Sequence, residues 1–183
     1  MRNILAGFVL LTFSVAAWAD TYPAHVLIIR HAEKPADGPG LSPEGKERAA
    51  ALPKLFMKSE ARSDLFPTPD FIFATKNSDE SHRPVDTVTP LADKLGLTVN
   101  SDIKNEHFEK LVQELFQMPK YAGKTVLICW HHRTMPDLAK ALKGIDIPER
   151  IDKGAFNLIW QIDYNKDGKA KTSTGSQKLM PGD

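Results

Sequence analysis

Histidine and arginine side chains follow directly after two short apolar runs of the sequence. Arg30 and His31 close the first run, and the doublet of His131 and His132 closes a later one. A guanidinium group binds phosphate oxygens in a forked, permanently charged geometry, and a neutral imidazole is a competent nucleophile near neutral pH. These residue types therefore predict a site that binds a phosphate group and attacks it.

A further arginine, Arg83, lies at the start of a predicted helix. The triplet of Ser81, His82 and Arg83 follows another apolar run and precedes a helical pattern. The N-terminus of a helix offers free N–H groups and the positive end of the helix dipole. Arg83 can therefore add a second guanidinium group to a position that already favours anions.

The elements that must position these residues alternate between strands and helices. Near-continuously apolar runs predict buried strands at 25–29, 71–74 and 125–130, and helical patterns follow each run. This alternation predicts an α/β fold, a single-domain three-layer sandwich whose mostly parallel sheet carries helices on both faces. Ligands bind beyond the carboxyl ends of parallel strands, so we expect the charged residues after these strands to converge.

Turn and cap residues mark the ends of the predicted helices. Ser42 and Pro43 start the first helix, which Pro53 should kink or end. Further helices are predicted at 84–95, with Gly96 as its C-terminal stop, and at 106–116 and 135–142.

The remaining chain predicts a C-terminal β-hairpin. The segment 155–164 has a strand pattern, residues 165–168 have turn chemistry, and a return strand is expected from Ala170. We expect residues 173–183 to fray.

Four segments, in this order, resemble motifs of the histidine phosphatase superfamily. Residues 27–34 and 41–45 are similar to its opening strand, phosphate loop and first helix, residues 83–88 to its second arginine motif, and residues 123–131 to its second histidine motif. The resemblance extends over most of residues 24–142 and implies a phosphoglycerate mutase-like fold, close to its mutase and small phosphohistidine phosphatase branches.

The resemblance also implies a role for each matched side chain. His31 would be the nucleophile, Arg30 and Arg83 would hold the phosphate, and His131 would stabilise charge in the transition state. Both the preceding strand and the following Pro136 align His131 with the family histidine, and His132 is left as a residue of the pocket. The implied chemistry requires no metal and no other cofactor.

A phosphomonoesterase also needs a proton donor for the leaving group, usually a carboxylic acid. Glu80 and Asp79, in the loop before Arg83, and Glu33, next to the phosphate loop, are the candidates. Each of them could equally be a solvated loop carboxylate.

Residues 1–19 have the pattern of a cleaved signal peptide. Arg2 gives the positive start, a short apolar run follows, and Ala17 and Ala19 supply the small residues of a cleavage site. We therefore expect a periplasmic or secreted protein in which residues 20–183 form the histidine phosphatase-like domain, with no membrane attachment after cleavage.

Composition limits the other partners. The 24 basic and 23 acidic residues nearly balance, so no overall field favours nucleic acid. Cys129 is the single cysteine and lies in an apolar run, where we expect a buried, inert thiol. His25, His82 and His107 show no spacing typical of a zinc site, and the sequence gives no indication of an oligomeric state.

These expectations together predict an exported phosphatase that acts on a small phosphorylated substrate through a phosphohistidine on His31. Two alternatives remain open. One is phosphoryl transfer of the phosphoglycerate mutase type, and the other is a binding module that keeps the phosphate pocket without turnover.

Overall fold

The computed structural model describes residues 22–57 and 66–183. The predicted signal peptide at 1–19 lies outside these residues. Within the described ranges, no helix combines the length and the apolar character that a membrane span needs.

A six-stranded sheet forms the centre of the molecule, in the spatial order β3-β2-β4-β1-β5-β6. Its strands are β1 (His25–Arg30), β2 (Phe71–Ala74), β3 (Val99–Asn100), β4 (Thr125–Trp130), β5 (Leu158–Tyr164) and β6 (Ala170–Ser176). Strands β3, β2, β4 and β1 pair in parallel, whereas β5 runs antiparallel to β1 and to β6. The mostly parallel sheet with a C-terminal hairpin is thus confirmed.

Four helices accompany the sheet in the described residues: α1 (Pro43–Ala51), α2 (Arg83–Leu95), α3 (Phe108–Gln117) and α4 (Met135–Ala141). Successive residues of a strand point to opposite faces. On β1, Val26 and Ile28 therefore pack into one apolar cluster with α3 and α4. Leu27 and Ile29 pack into a second cluster with α2 and the 3₁₀ turn that follows α1. The sheet is covered on both faces, as predicted.

Helix α1 begins where its sequence signals indicate. The Ser42 hydroxyl accepts a hydrogen bond from the Gly45 amide at 3.0 Å, which satisfies one free N–H of the first turn. A side chain at Gly45 would place its Cβ 2.3 Å from the carbonyl oxygen of Glu33. Glycine at this position therefore lets the helix approach the loop after β1. The helix ends at Ala51, and Pro53 lies in a 3₁₀ turn, Leu52–Leu55.

The C-terminal segment differs from its prediction. Residues 173–176 belong to β6, and Gln177 is buried. The side chain of Asp183 forms two 2.8 Å hydrogen bonds with Arg48 and accepts bonds from the amides of Leu179 and Met180. The prediction that 173–183 frays was wrong, because a long-range ion pair anchors the segment.

Candidate active site

The two candidate histidines follow neighbouring parallel strands. Arg30 and Trp130, the last residues of β1 and β4, are partners in the sheet register, and the His31 amide donates to the Trp130 carbonyl at 3.2 Å. The rings of His31 and His131 consequently meet edge to face, with centroids 5.3 Å apart. The paired strand ends therefore bring both imidazoles into one site.

His31 is held in a defined tautomer. It is 3% exposed, and its Nδ1 lies 2.7 Å from the Ala32 carbonyl oxygen. A carbonyl oxygen can only accept a hydrogen bond, so Nδ1 carries the proton and Nε2 keeps its lone pair. Burial lowers the pKa of His31 to about 3; the Ala32 bond opposes this change, and the nearby His131, Arg30 and Arg83 add to it. The imidazole is therefore neutral at physiological pH, as a nucleophile must be.

The guanidinium group of Arg30 is fixed by the loop that precedes β5. Its Nη1 donates to the Lys153 carbonyl at 2.7 Å, with the Asp152 carbonyl at 3.5 Å. The group stacks 3.9 Å above the Phe156 ring. Burial lowers the pKa of Arg30 to about 10, and Glu33 and Asp152 oppose that shift. Arg30 thus stays charged at neutral pH in a fixed orientation.

Arg83, the first residue of α2, reaches across to the loop that follows β1. Its Nη1 donates to the carbonyls of Gly38 and Pro39, both at 3.1 Å. Thr87, one turn later, accepts from the Ala32 amide at 2.9 Å and donates to the Arg83 carbonyl at 2.7 Å. One threonine hydroxyl therefore connects the residue after His31 to the helix that carries the second arginine.

The doublet after β4 separates into two environments. Burial lowers the pKa of His131 to about 4, with further contributions from Arg83, His132 and Arg30. His132 lines a different cavity, beside Arg133 and Lys153. His131 is thus the member of the doublet whose ring faces His31.

Four groups therefore surround a common region: two neutral imidazoles and two guanidinium groups. The positive charges of Arg30 and Arg83 each lower the pKa values of both His31 and His131, so both guanidinium groups lie within electrostatic range of the two rings. Among the described residues, the Nε atoms of Arg30 and Arg83 are buried donors without a hydrogen-bond partner. Unpaired donors and positive charge in a buried site favour a bound anion such as phosphate.

The three candidate acids lie in different surroundings. Asp79 and Glu80 are exposed at a turn closed by the bridge between Ser78 and Ser81. Glu33 is buried, and its two oxygens accept from Arg48 Nε at 2.8 and 3.1 Å. The arrangement gives Glu33 an ion-pair partner and leaves Asp79 and Glu80 as the solvent-accessible carboxylates of the Arg83 loop.

Several contributors to the site were missed in the sequence. Thr87 lies four residues after Arg83, so helical spacing could have indicated it. Phe156 and the carbonyls of Asp152 and Lys153 carry no local signal, because they reach Arg30 only through the pairing of β5 with β1. In residues 22–57 and 66–183, no group of three or more His, Cys, Asp or Glu side chains is arranged to hold a metal ion.

Sequence comparison finds no matching family model and no matching curated protein. Structural comparison does find matches, and the chain has the phosphoglycerate mutase-like α/β fold.

Three of the matching structures are enzymes or assigned enzymes of the histidine phosphatase superfamily. A protein assigned as the phosphohistidine phosphatase SixA from Agrobacterium tumefaciens has a TM-score of 0.55 at 16% identity, over 85% of this chain and 99% of that chain. Phosphoglycerate mutase from Plasmodium falciparum has a TM-score of 0.54 at 15% identity, over 87% and 94%. The α-ribazole phosphatase from Shigella flexneri has a TM-score of 0.50 at 18% identity, over 87% and 99%. The fold that the resemblance implied is thus confirmed.

Proposed function

We propose that this chain is a phosphatase of the histidine phosphatase superfamily that hydrolyses small phosphomonoesters through a phosphohistidine on His31. The observation that carries the proposal is the hydrogen bond from His31 Nδ1 to the Ala32 carbonyl, beside His131 and the two arginines. This bond leaves Nε2 as the free nucleophilic atom of a neutral ring. The fold shared with phosphatases and a mutase also supports this chemistry.

The reaction would proceed in two displacements. The Nε2 lone pair attacks phosphorus, a P–N bond forms, and the ester P–O bond breaks with its electrons on the leaving oxygen, which takes up a proton. Water then attacks the phosphohistidine, the P–N bond breaks, and inorganic phosphate leaves. Arg30 and Arg83 would balance the charge of the phosphoryl oxygens, and His131 would donate a hydrogen bond to one of them in the transition state.

A trapping experiment tests the nucleophile. The protein is mixed with a ³²P-labelled aryl phosphate, quenched in alkali, and examined for acid-labile label on wild type, His31→Ala and His107→Ala. His107 is an exposed histidine at the start of α3 and serves as the matched control. We expect label on wild type and on the control and none on His31→Ala.

The other outcomes separate the alternatives. Label retained by His31→Ala would assign the nucleophile to another residue. Phosphate binding without label or turnover would indicate a binding module. Transfer of the label to an added hydroxyl acceptor in preference to water would indicate a mutase.

The proton donor is tested with aryl phosphates of increasing leaving-group pKa. If Glu80 or Asp79 donates the proton, Glu80→Gln or Asp79→Asn should slow poor leaving groups strongly and good leaving groups little. Equal slowing of all the aryl phosphates would show that the carboxylate is not the acid.

We also propose that the protein is exported, on the evidence of residues 1–19 alone. Cell fractionation and N-terminal sequencing of the mature protein test this proposal. An N-terminus at Asp20 in the periplasm or medium would support it, and a cytoplasmic protein that retains Met1 would contradict it.

A further inference from the structure

A cavity lies beside the candidate active site, next to His131 in the chain. Its volume is about 270 Å³, and we call it the basic pocket; it is lined by His132, Arg133, Glu149, Arg150, Ile151 and Lys153. These residues come from the turn after β4 and from the loop before β5. The same two segments carry His131 and hold Arg30.

Two residues of the basic pocket connect it to the candidate active site. His132 follows His131 directly, and the Cα atoms of adjacent residues are about 3.8 Å apart. Lys153 contacts Arg30 as well as the pocket, since its carbonyl accepts from Arg30 at 2.7 Å and the residue lines the basic pocket. A small molecule with one group beside His31 could therefore extend a second group into the basic pocket.

The charge of the basic pocket is unbalanced. Arg133, Arg150 and Lys153 are exposed, and their side chains form no ion pair within the described ranges. The single acidic residue of the lining, Glu149, is paired with Lys140 at 2.6 Å.

The pKa of His132 indicates the same excess of positive charge. Burial lowers the pKa of His132, and the next causes are the cations Arg30, Arg133, Lys153 and Lys34. Positive groups held close together in a concave region raise the local concentration of anions.

We propose that the basic pocket binds a second phosphate group of the substrate, so that the preferred substrates are small bisphosphate esters. This inference rests on the proposed phosphatase function and deepens it. One phosphate would lie between the two arginines at His31, and the second would be neutralised by Arg133, Arg150 and Lys153. The second group would be bound but not cleaved.

The test compares two probes that differ by one phosphate, glucose 6-phosphate and glucose 1,6-bisphosphate. Phosphate release gives kcat/KM for each probe with wild type, Arg133→Gln, Arg150→Gln and Lys166→Gln. Lys166 is an exposed lysine in the turn between β5 and β6. This turn lies at the end of the strands opposite to His31, so Lys166 is the matched control.

We expect wild type and Lys166→Gln to prefer the bisphosphate by about 10-fold or more. Each arginine variant should lower this preference by roughly 2- to 5-fold, the range of exposed charge pairs. The preference should also weaken as salt is raised. Equal kcat/KM for both probes in wild type, or an unchanged preference in the arginine variants, would overturn the proposal.

Calorimetric titration with inorganic pyrophosphate decides the case in which neither sugar is hydrolysed. Tighter binding of pyrophosphate than of inorganic phosphate by wild type, lost in Arg133→Gln and Arg150→Gln, would support the second phosphate subsite. If wild type and the arginine variants bind pyrophosphate with the same affinity, the second phosphate subsite is overturned. The proposed phosphatase function fails separately, if no aryl phosphate labels His31.

Discussion

Replacing Thr87 with valine removes a hydroxyl that two parts of the site use, with almost no change in side-chain volume. The hydroxyl accepts from the Ala32 amide at 2.9 Å and donates to the Arg83 carbonyl at 2.7 Å. Ala32 is completely buried, so its N–H would lose its partner without gaining water. An unsatisfied buried donor costs about 1–3 kcal/mol, and we expect the free energy of unfolding of Thr87→Val to fall by that amount.

The same helix provides the control. Thr89 donates to the Val85 carbonyl at 2.8 Å, as Thr87 does to the Arg83 carbonyl, but it is exposed. Thr89→Val should therefore change the free energy of unfolding by less than about 0.5 kcal/mol. Urea denaturation followed by tryptophan fluorescence measures both variants.

Catalysis should respond to the same substitution. The Ala32 carbonyl orients His31, so a displaced loop would misplace Nε2, and a misplacement of about 1 Å can cost about 100-fold in rate. We expect kcat/KM for an aryl phosphate to fall by up to about 100-fold in Thr87→Val and to recover largely in Thr87→Ser. Equal stability and activity of the Thr87 and Thr89 variants would refute the role assigned to this hydroxyl.

Two further predictions follow from the charged groups. The pKa values of His31 and His131 in the folded protein, about 3 and about 4, lie below the unfolded value, so the unfolded chain takes up protons first as the pH falls below 6.5. Each histidine should therefore lower the free energy of unfolding by about 1 kcal/mol between pH 7 and pH 5.5. Urea titrations at both pH values, on wild type and on the double variant His31→Asn/His131→Asn, measure this loss. An equal loss in the two proteins would contradict the prediction. Arg48→Met would leave the carboxylates of Glu33 and Asp183 without their cation, and we expect the free energy of unfolding to fall by about 3–5 kcal/mol in urea denaturation. A denaturation midpoint equal to that of wild type would show that the ion pair contributes nothing.

The sequence predicted the elements whose signals are local. The caps at Ser42 and Gly96 lie at the helix ends where turn chemistry indicated them. The continuously apolar runs are the buried parallel strands, and for that reason the side chains after them meet at one edge of the sheet. The proximity of His31 and His131 could therefore be predicted from the apolar pattern and the expected parallel topology.

Features that depend on contacts between distant parts of the chain could not be predicted from the sequence. Strand β3 has two residues and forms because β2 lies beside it, which no periodicity of that length can indicate. The C-terminal segment was misjudged because its anchor, Arg48, lies far from Asp183 in the sequence.

The direction of β5 determines what borders the catalytic residues. Because β5 runs against β1, with Ile159 opposite Ile29 and Asp163 opposite His25, the chain enters β5 beside His31 rather than at the far edge. β6 then returns to the same edge, where Ser176 lies opposite Leu158. If β5 ran parallel to β1, the loop before β5 and the segment after β6 would both lie at the opposite end of the sheet from His31. The reversal lets two late segments of the chain be lengthened, shortened or replaced to alter substrate preference while the strands that carry the histidines keep their register.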